Sequence, residues 1–244
     1  MTRKRAAARK SFNSLGPLAA WLLLAVVVLP SSISSAEDGS LRGTVRVLHQ
    51  DEANADSGGV VVSLTPLQGR MTFSRGSPAQ LIPKNKNFVP HILAVTQGAE
   101  IEIPNQDLFV HNLSSIHHGK TSDLGLYQSG KMRKIRFKQP GVSYIFCNIH
   151  PEMSAIVVVL RTRYFALTDR AGNFEIHRVP PGRYRLAVWY ELTPEAEARL
   201  QEREVNVTAG DNEIGEIVLH SSDVPKEHPN KDDVAYRPAE LRRR

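Results

Sequence analysis

At 244 residues the chain can hold one large domain or two smaller ones, each able to bury a core without disulfides or a structural metal. Its formal charge of +6 suggests a nucleic-acid surface, but Arg3, Lys4, Arg5, Arg9 and Lys10 supply five of those charges before Ala36, where there is no acidic residue, and the remainder carries +1. A nucleic-acid partner is therefore not expected.

The basic start leads into an apolar run from Leu18 to Leu29 and then into small residues ending at Ser34, Ser35 and Ala36. These are the three parts of an export signal, read as residues 1–36 with cleavage after Ala36. The apolar run is shorter than the roughly 20 residues that cross a bilayer, so no transmembrane anchor is expected after cleavage. The mature protein is expected in the periplasm or outside the cell.

Beyond the leader, nearly every periodic stretch is short, rich in Val, Ile, Phe and Tyr, and bounded by Gly, Pro, Asn or Asp, which predicts an all-β protein. Strands are expected at 41–48 and 59–64, then at 92–95, 100–103, 133–137, 143–146 and 155–160, and again at 165–168, 173–177, 182–189, 203–207 and 213–219. The clearest helical candidate is 194–202, with Thr193 as cap and Pro194 at the first position, although a polar loop suits the same residues. Residues 221–244 mix both charge signs, end in three arginines, and read as a flexible polar tail.

The single cysteine, Cys147, demands an account, because exported disulfide scaffolds use even numbers and an exposed lone thiol is a liability there. It is either an inert core residue or a metal ligand. Its neighbours favour the second. Cys147-Asn148-Ile149-His150-Pro151-Glu152-Met153 puts a thiol, an imidazole and a thioether on one short loop between two expected strands, and His111 lies 36 residues upstream. Two imidazoles and a thiolate with a weak axial thioether suit both oxidation states of copper. Zinc is the rival, but structural zinc sites commonly pair cysteines and do not recruit methionine. A bound metal would also keep the thiol as thiolate.

Residues 88–160 resemble a cupredoxin, of the amicyanin type with its short C-x-x-H-x-x-M loop. Phe88-Val89-Pro90, Val95-Thr96-Gln97-Gly98, Asn105 and Asp107 ahead of His111-Asn112, and Pro140-Gly141-Val142-Ser143-Tyr144 before the cysteine carry the likeness. The resemblance implies one type 1 copper per chain, with His111, Cys147 and His150 as equatorial ligands and Met153 on the axis. It further implies that Asn112 ties the two ligand loops together and that His150, nearest the surface, is the electron's exit. The expected function is periplasmic one-electron transfer with a redox protein such as a c-type cytochrome or a dehydrogenase. Ile149 and Glu152 depart from the amicyanin loop, and 114–129, with His117 and His118, has no counterpart that can be placed. That histidine pair reads as a solvated loop.

A second resemblance frames the first. Leu41-Arg42-Gly43-Thr44-Val45 and Gly58-Gly59-Val60-Val61-Val62-Ser63-Leu64, taken with Thr168-Asp169-Arg170-Ala171-Gly172-Asn173-Phe174 and Val179-Pro180-Pro181-Gly182-Arg183-Tyr184, are similar to a carboxypeptidase-regulatory-like (prealbumin-like) β-sandwich. In that family these pieces are nearly contiguous. The expected architecture is thus a Greek-key cupredoxin sandwich, 69–162, inserted into or fused with a prealbumin/Ig-like sandwich made of 37–68 and 163–220. The combination resembles a group of bacterial methylamine-utilisation-like cupredoxin proteins.

No nucleophile triad, phosphate loop or suggestive carboxylate pair occurs, so no enzyme is expected. Two other functions stay open: a copper carrier or sensor using the same ligands, and a carbohydrate-binding or adhesion protein in which Trp189, Tyr184 and Tyr190 of the second sandwich act and the cupredoxin is a spacer.

Overall fold

The computed structural model describes residues 37–50, 52–53, 56–69 and 78–222, together with 228–229 and 235–236. The expected export signal, and the expected tail apart from residues 221–222 and those two short pairs, lie outside the described residues.

The described chain is β-structure with one short helix. In chain order come β1 (Gly39–His49), β2 (Glu52–Ala53) and β3 (Val61–Pro66), then β4 (Ala79–Gln80), β5 (Ile82–Lys84), β6 (Asn87–Val89), β7 (Ile92–Thr96), β8 (Glu100–Pro104), β9 (His111–His117), β10 (Lys120–Tyr127), β11 (Met132–Arg136), β12 (Gly141–Cys147) and β13 (Ser154–Leu160). They are followed by β14 (Tyr164–Leu167), β15 (Asn173–Val179), β16 (Gly182–Trp189), α1 (Glu195–Leu200), β17 (Arg203–Val207) and β18 (Gly210–Ser221).

Strand pairing follows alternation in the sequence. On β1, Leu41, Val45 and Val47 are buried while polar residues take the other face. β1 sits between β15 and β18 in one sheet, and β3 sits between β14 and β16, with β17 outside, in the sheet that faces it. Both inner faces share one apolar core, including Leu41, Val62, Phe174, Leu186 and Ile217. The turn from β14 to β15 depends on Gly172, whose φ is +85° and where a Cβ would fall 2.0 Å from the Val45 carbonyl oxygen.

The strands between β3 and β14 pair among themselves. One sheet runs β10-β9-β12-β13-β7, the opposing one β11-β8-β4, with β5–β6 as a hairpin beside them. The chain crosses between the two sheets from β7 to β8, β8 to β9, β10 to β11 and β11 to β12, while β9–β10 and β12–β13 pair within one sheet. Their shared core includes Leu81, Ile101, Ile103, Leu113, Ile145, Val157 and, at one end, Cys147 and Met153.

The run Ala155-Ile156-Val157-Val158-Val159 explains how the two bodies meet. An unbroken apolar strand is buried on both faces. Ala155, Val157 and Val159 enter their own core, whereas Ile156 and Val158 turn outward onto Val61, with Trp189, Tyr144, Ile92 and Ala94 around them. At the margin of this seam His91 Nε2 lies 2.9 Å from Glu191 Oε2.

Two expectations need correction. The reading of His117 and His118 as a solvated loop holds for His118, exposed in the turn after β9 with its Nε2 2.8 Å from the Pro140 carbonyl, but not for His117, which ends β9 half-buried, its Nδ1 2.5 Å from Ser143 Oγ and its Nε2 3.1 Å from the Gln139 carbonyl. The β9–β10 hairpin was hidden because its buried positions include Ser114 and Ser115, which break the apolar alternation. Nor does Thr193 cap the helix. Pro194 is the N-cap, and the Thr193 hydroxyl instead donates to the His220 carbonyl at 3.2 Å.

Candidate metal centre

Register alone brings two of the candidate ligands to one place. β9 and β12 are antiparallel neighbours with Cys147 opposite Leu113, so His111, two residues before Leu113, projects from the same inner face at the same end of the sheet. Cys147 is the last residue of β12. The chain then turns tightly: Met153 N–H donates to the His150 carbonyl at 2.9 Å, and Cys147 N–H to the Met153 carbonyl at 3.0 Å, before β13 begins. This closure returns His150 over the sulfur.

Cys147 Sγ is 3.8 Å from His111 Nδ1 and 3.5 Å from His150 Nδ1, and the three ligand atoms lie within 4.8 Å of one another. Metal bonds of about 2.3 Å to sulfur and about 2.0 Å to nitrogen, at trigonal to tetrahedral angles, separate S and N by roughly 3.5–3.8 Å. A hydrogen-bonded thiol would account for one of these contacts, because one S–H serves one acceptor; two imidazoles converging on one sulfur suit an ion between them. Met153, fully buried in the same core, is joined to Cys147 through its backbone carbonyl. His111 is fully buried as well, and His150 is half-buried.

Burial is the main cause that lowers the pKa of His111, opposed by Asp107 and assisted by the nearby His150. The imidazole is thereby kept in the neutral form that can ligate.

The side chain holding His111 in place is Asp107, to which the sequence assigned no role. Its Oδ2 accepts from His111 Nε2 at 3.1 Å, while its two oxygens accept from the backbone N–H groups of Asn85 at 2.7 Å and Lys86 at 3.3 Å. Asn105 shapes that loop, donating to the Phe109 carbonyl at 2.7 Å and accepting from the Asp107 N–H at 3.0 Å. The available sequence signal was the spacing of four between Asp107 and His111, which carries no meaning on a loop until the loop is folded. With the Nε2 proton held by a carboxylate, Nδ1 is the nitrogen turned to the sulfur. Asp107→Ala is expected to weaken metal binding about 10–100-fold, measured by competition titration, with the metal-free protein still folded.

Asn112 accepts at its carbonyl from the Asn148 N–H at 2.8 Å, and Asn148 Nδ2 lies 3.3 Å from Asn112 Oδ1 and 2.8 Å from Ser114 Oγ. Asn148 and Ser114, neither singled out in the sequence, share the bridging of the two loops. The exposed Ile149 precedes His150 in the chain, and the Phe109 ring, between the exposed Leu108 and Val110, meets the His150 ring edge-on at 6.3 Å and carries Lys86 Nζ 5.6 Å from its centroid.

Residues 159–213 match the family model described as polysaccharide lyase family 4, domain II. Among solved structures the chain is similar to a purple cupredoxin from Nitrosopumilus maritimus, at 26% identity over 34% of this chain and 99% of that one, with a TM-score of 0.31. It is also similar to a reduced amicyanin variant, at 15% identity over 40% of this chain and 99% of that one, with a TM-score of 0.33. A copper-containing nitrite reductase from Thermus scotoductus matches at 22% identity over 39% of this chain and 25% of that one, also with a TM-score of 0.33. No curated protein matches the chain. Among the described residues no helix is long and apolar enough to cross a membrane.

Proposed function

We propose that this protein is an exported type 1 copper protein that carries single electrons. The observation that carries the reading is the convergence of His111 Nδ1 and His150 Nδ1 on the one buried thiol sulfur, with a buried methionine next in the same loop. The donor set fits copper: a soft thiolate, two imidazoles and a thioether together suit Cu(I) and Cu(II), whereas structural zinc sites favour paired cysteines and no thioether. One copper per chain would be held by His111, Cys147 and His150, with Met153 as a weak fourth ligand. Copper supplies a one-electron couple there.

The chain's own residues serve that couple in three ways. Asp107 and the closed loop at residues 147–153 hold the ligands still, so little reorganisation accompanies a change of charge. The core around Cys147 excludes water. The exposed Phe109 and Ile149 beside His150 offer a short route to a redox protein, a c-type cytochrome or a dehydrogenase, that docks there. Nothing in the donor set provides for catalysis, and we assign no enzymatic activity. The leader at 1–36 sends the protein to the periplasm. The body formed by β1, β3 and β14–β18 is a prealbumin-like sandwich into which the copper domain is inserted, an assignment supported by β1 and β3 pairing with strands that follow residue 163.

The test is to add Cu(II) to the mature protein, record the visible spectrum, and then add an electron donor. Intense thiolate-to-copper absorption that bleaches with one electron per copper is expected. A colourless complex, or copper passed to an acceptor protein without redox change, would overturn electron transfer in favour of a carrier.

A further inference from the structure

Strand alternation in the second body fails at one place. Along β15, Phe174 and Ile176 are buried, and a regular strand would bury the side chain at position 178 with them. Instead His177 and Arg178 are both exposed, because β15 carries an extra residue here: its pairing with β1 runs from Ile176 opposite Leu41 to Val179 opposite Gly39, so two residues of β15 stand against Ser40 alone. Such a bulge bends a strand and re-aims its side chains. Arg178 holds a φ of +53°, a left-handed conformation that glycine adopts freely and other residues adopt under strain. The chain keeps an arginine where a glycine would sit more easily.

His177 and Arg178 line a cleft of about 350 Å³ between the two bodies, a volume at the lower end of what holds a small organic molecule. The body that contains Cys147 gives it a short apolar wall of Ala79, Ala94 and Ala99, with Ala94 on the edge strand β7. The other body adds Arg163, Tyr164 and Phe165 at the start of β14. The Arg163 guanidinium lies 5.5 Å from the centroid of the Tyr164 ring, a stacking that steadies the cation and leaves its N–H edges free. No carboxylate lines the cleft, and among the described residues neither arginine forms an ion pair; His177 does, its Nδ1 3.4 Å from Glu175 Oε1.

We propose that this cleft binds a small aromatic carboxylate, its anionic group taken by Arg163 and Arg178 and its ring laid against the alanine wall and Phe165. Two guanidinium groups without acidic partners repel each other until an anion comes between them, and each presents the planar fork that matches a carboxylate. The apolar wall selects the rest of the ligand: a flat ring covers it, whereas a bare inorganic anion leaves it wet. A ligand held in this way touches both bodies. Its binding requires no metal.

The experiment titrates benzoate and phthalate into the mature protein by calorimetry, with benzamide and inorganic phosphate as comparison. One saturable site per chain for at least one of the carboxylates is expected, weakened about tenfold or more in Arg163→Gln and in Arg178→Gln by the loss of a charge-assisted hydrogen bond. Benzamide, without the charge, and phosphate, without the ring, should bind more weakly. Arg178→Gly is expected to bind as poorly as Arg178→Gln yet to unfold, ligand-free, at the same or a higher temperature, since glycine takes the left-handed conformation without strain. Absence of saturable binding by either carboxylate, or binding unchanged in both glutamine variants, would overturn the site. Phosphate as tight as benzoate, or benzamide as tight, would overturn the class of ligand. A ligand-free Arg178→Gly protein that unfolds at a lower temperature would show that the arginine serves the fold, and would overturn its assignment to a ligand.

Discussion

Replacing Cys147 by serine is expected to abolish the visible absorption and the one-electron couple while leaving the metal-free fold intact. The side chain is 2% exposed and serine is close to it in size, so the exchange opens little space. A hydroxyl at this position still has two imidazole nitrogens within reach and is not left unpaired. Its oxygen, however, is not a soft anion at neutral pH, and the metal loses the ligand that gives both the charge-transfer band and much of the affinity. A ligand present at 1,000 times its dissociation constant stabilises the native state by about 4 kcal/mol. Thermal unfolding with and without Cu(II) should therefore show a large copper-dependent rise for the natural protein and a small one for Cys147→Ser. A variant that kept the band would show that the chromophore is not this thiolate.

A second large effect is expected far from the metal, at the seam. Val158 is 4% exposed, on the face of β13 that meets Val61 and Trp189. Val158→Asp buries a carboxylate among Ile92, Ala94, Ile156 and Trp189, with no ion pair at that position, and an uncompensated buried charge costs about 3–5 kcal/mol. For a protein of this size that lowers the midpoint of thermal unfolding by roughly 6–20 °C. Lys120→Asp, on an exposed edge of β10, should change stability by no more than about 0.5 kcal/mol. Calorimetry distinguishes the outcomes: one transition at lower temperature means the two bodies unfold as a unit, and two transitions mean the seam alone has opened. An unchanged midpoint would mean that this face of β13 is not buried.

The strongly periodic strands were legible because alternation states which face is buried: 182–189 and 203–207 have the expected bounds, and 41–48 and 155–160 differ from them by one or two residues. The strands β4, β5 and β6 have two or three residues each, too few for a period to register; β9 carries buried serines, and β10 is exposed along most of its length, so both read as loop. Of the helix and the polar loop that residues 194–202 both allowed, the helix formed, though only six residues long, and Thr193 found an acceptor in a carbonyl distant in sequence.

What the sequence by itself determined is the candidate donor set and the all-β class. Cys147, His150 and Met153 are linked by a spacing that allows a single loop. Only the tertiary structure decided how those donors are supported. His111 reaches the sulfur because β9 and β12 are paired in one register, and a shift by one residue would turn it to the opposite face. Asp107 sets the orientation of that ring from a loop held by the backbone of Asn85 and Lys86. These are contacts between segments with no shared local pattern. They are fixed by which strands pair and by the cost of leaving a buried polar group without a partner, and neither can be read from residues taken in order.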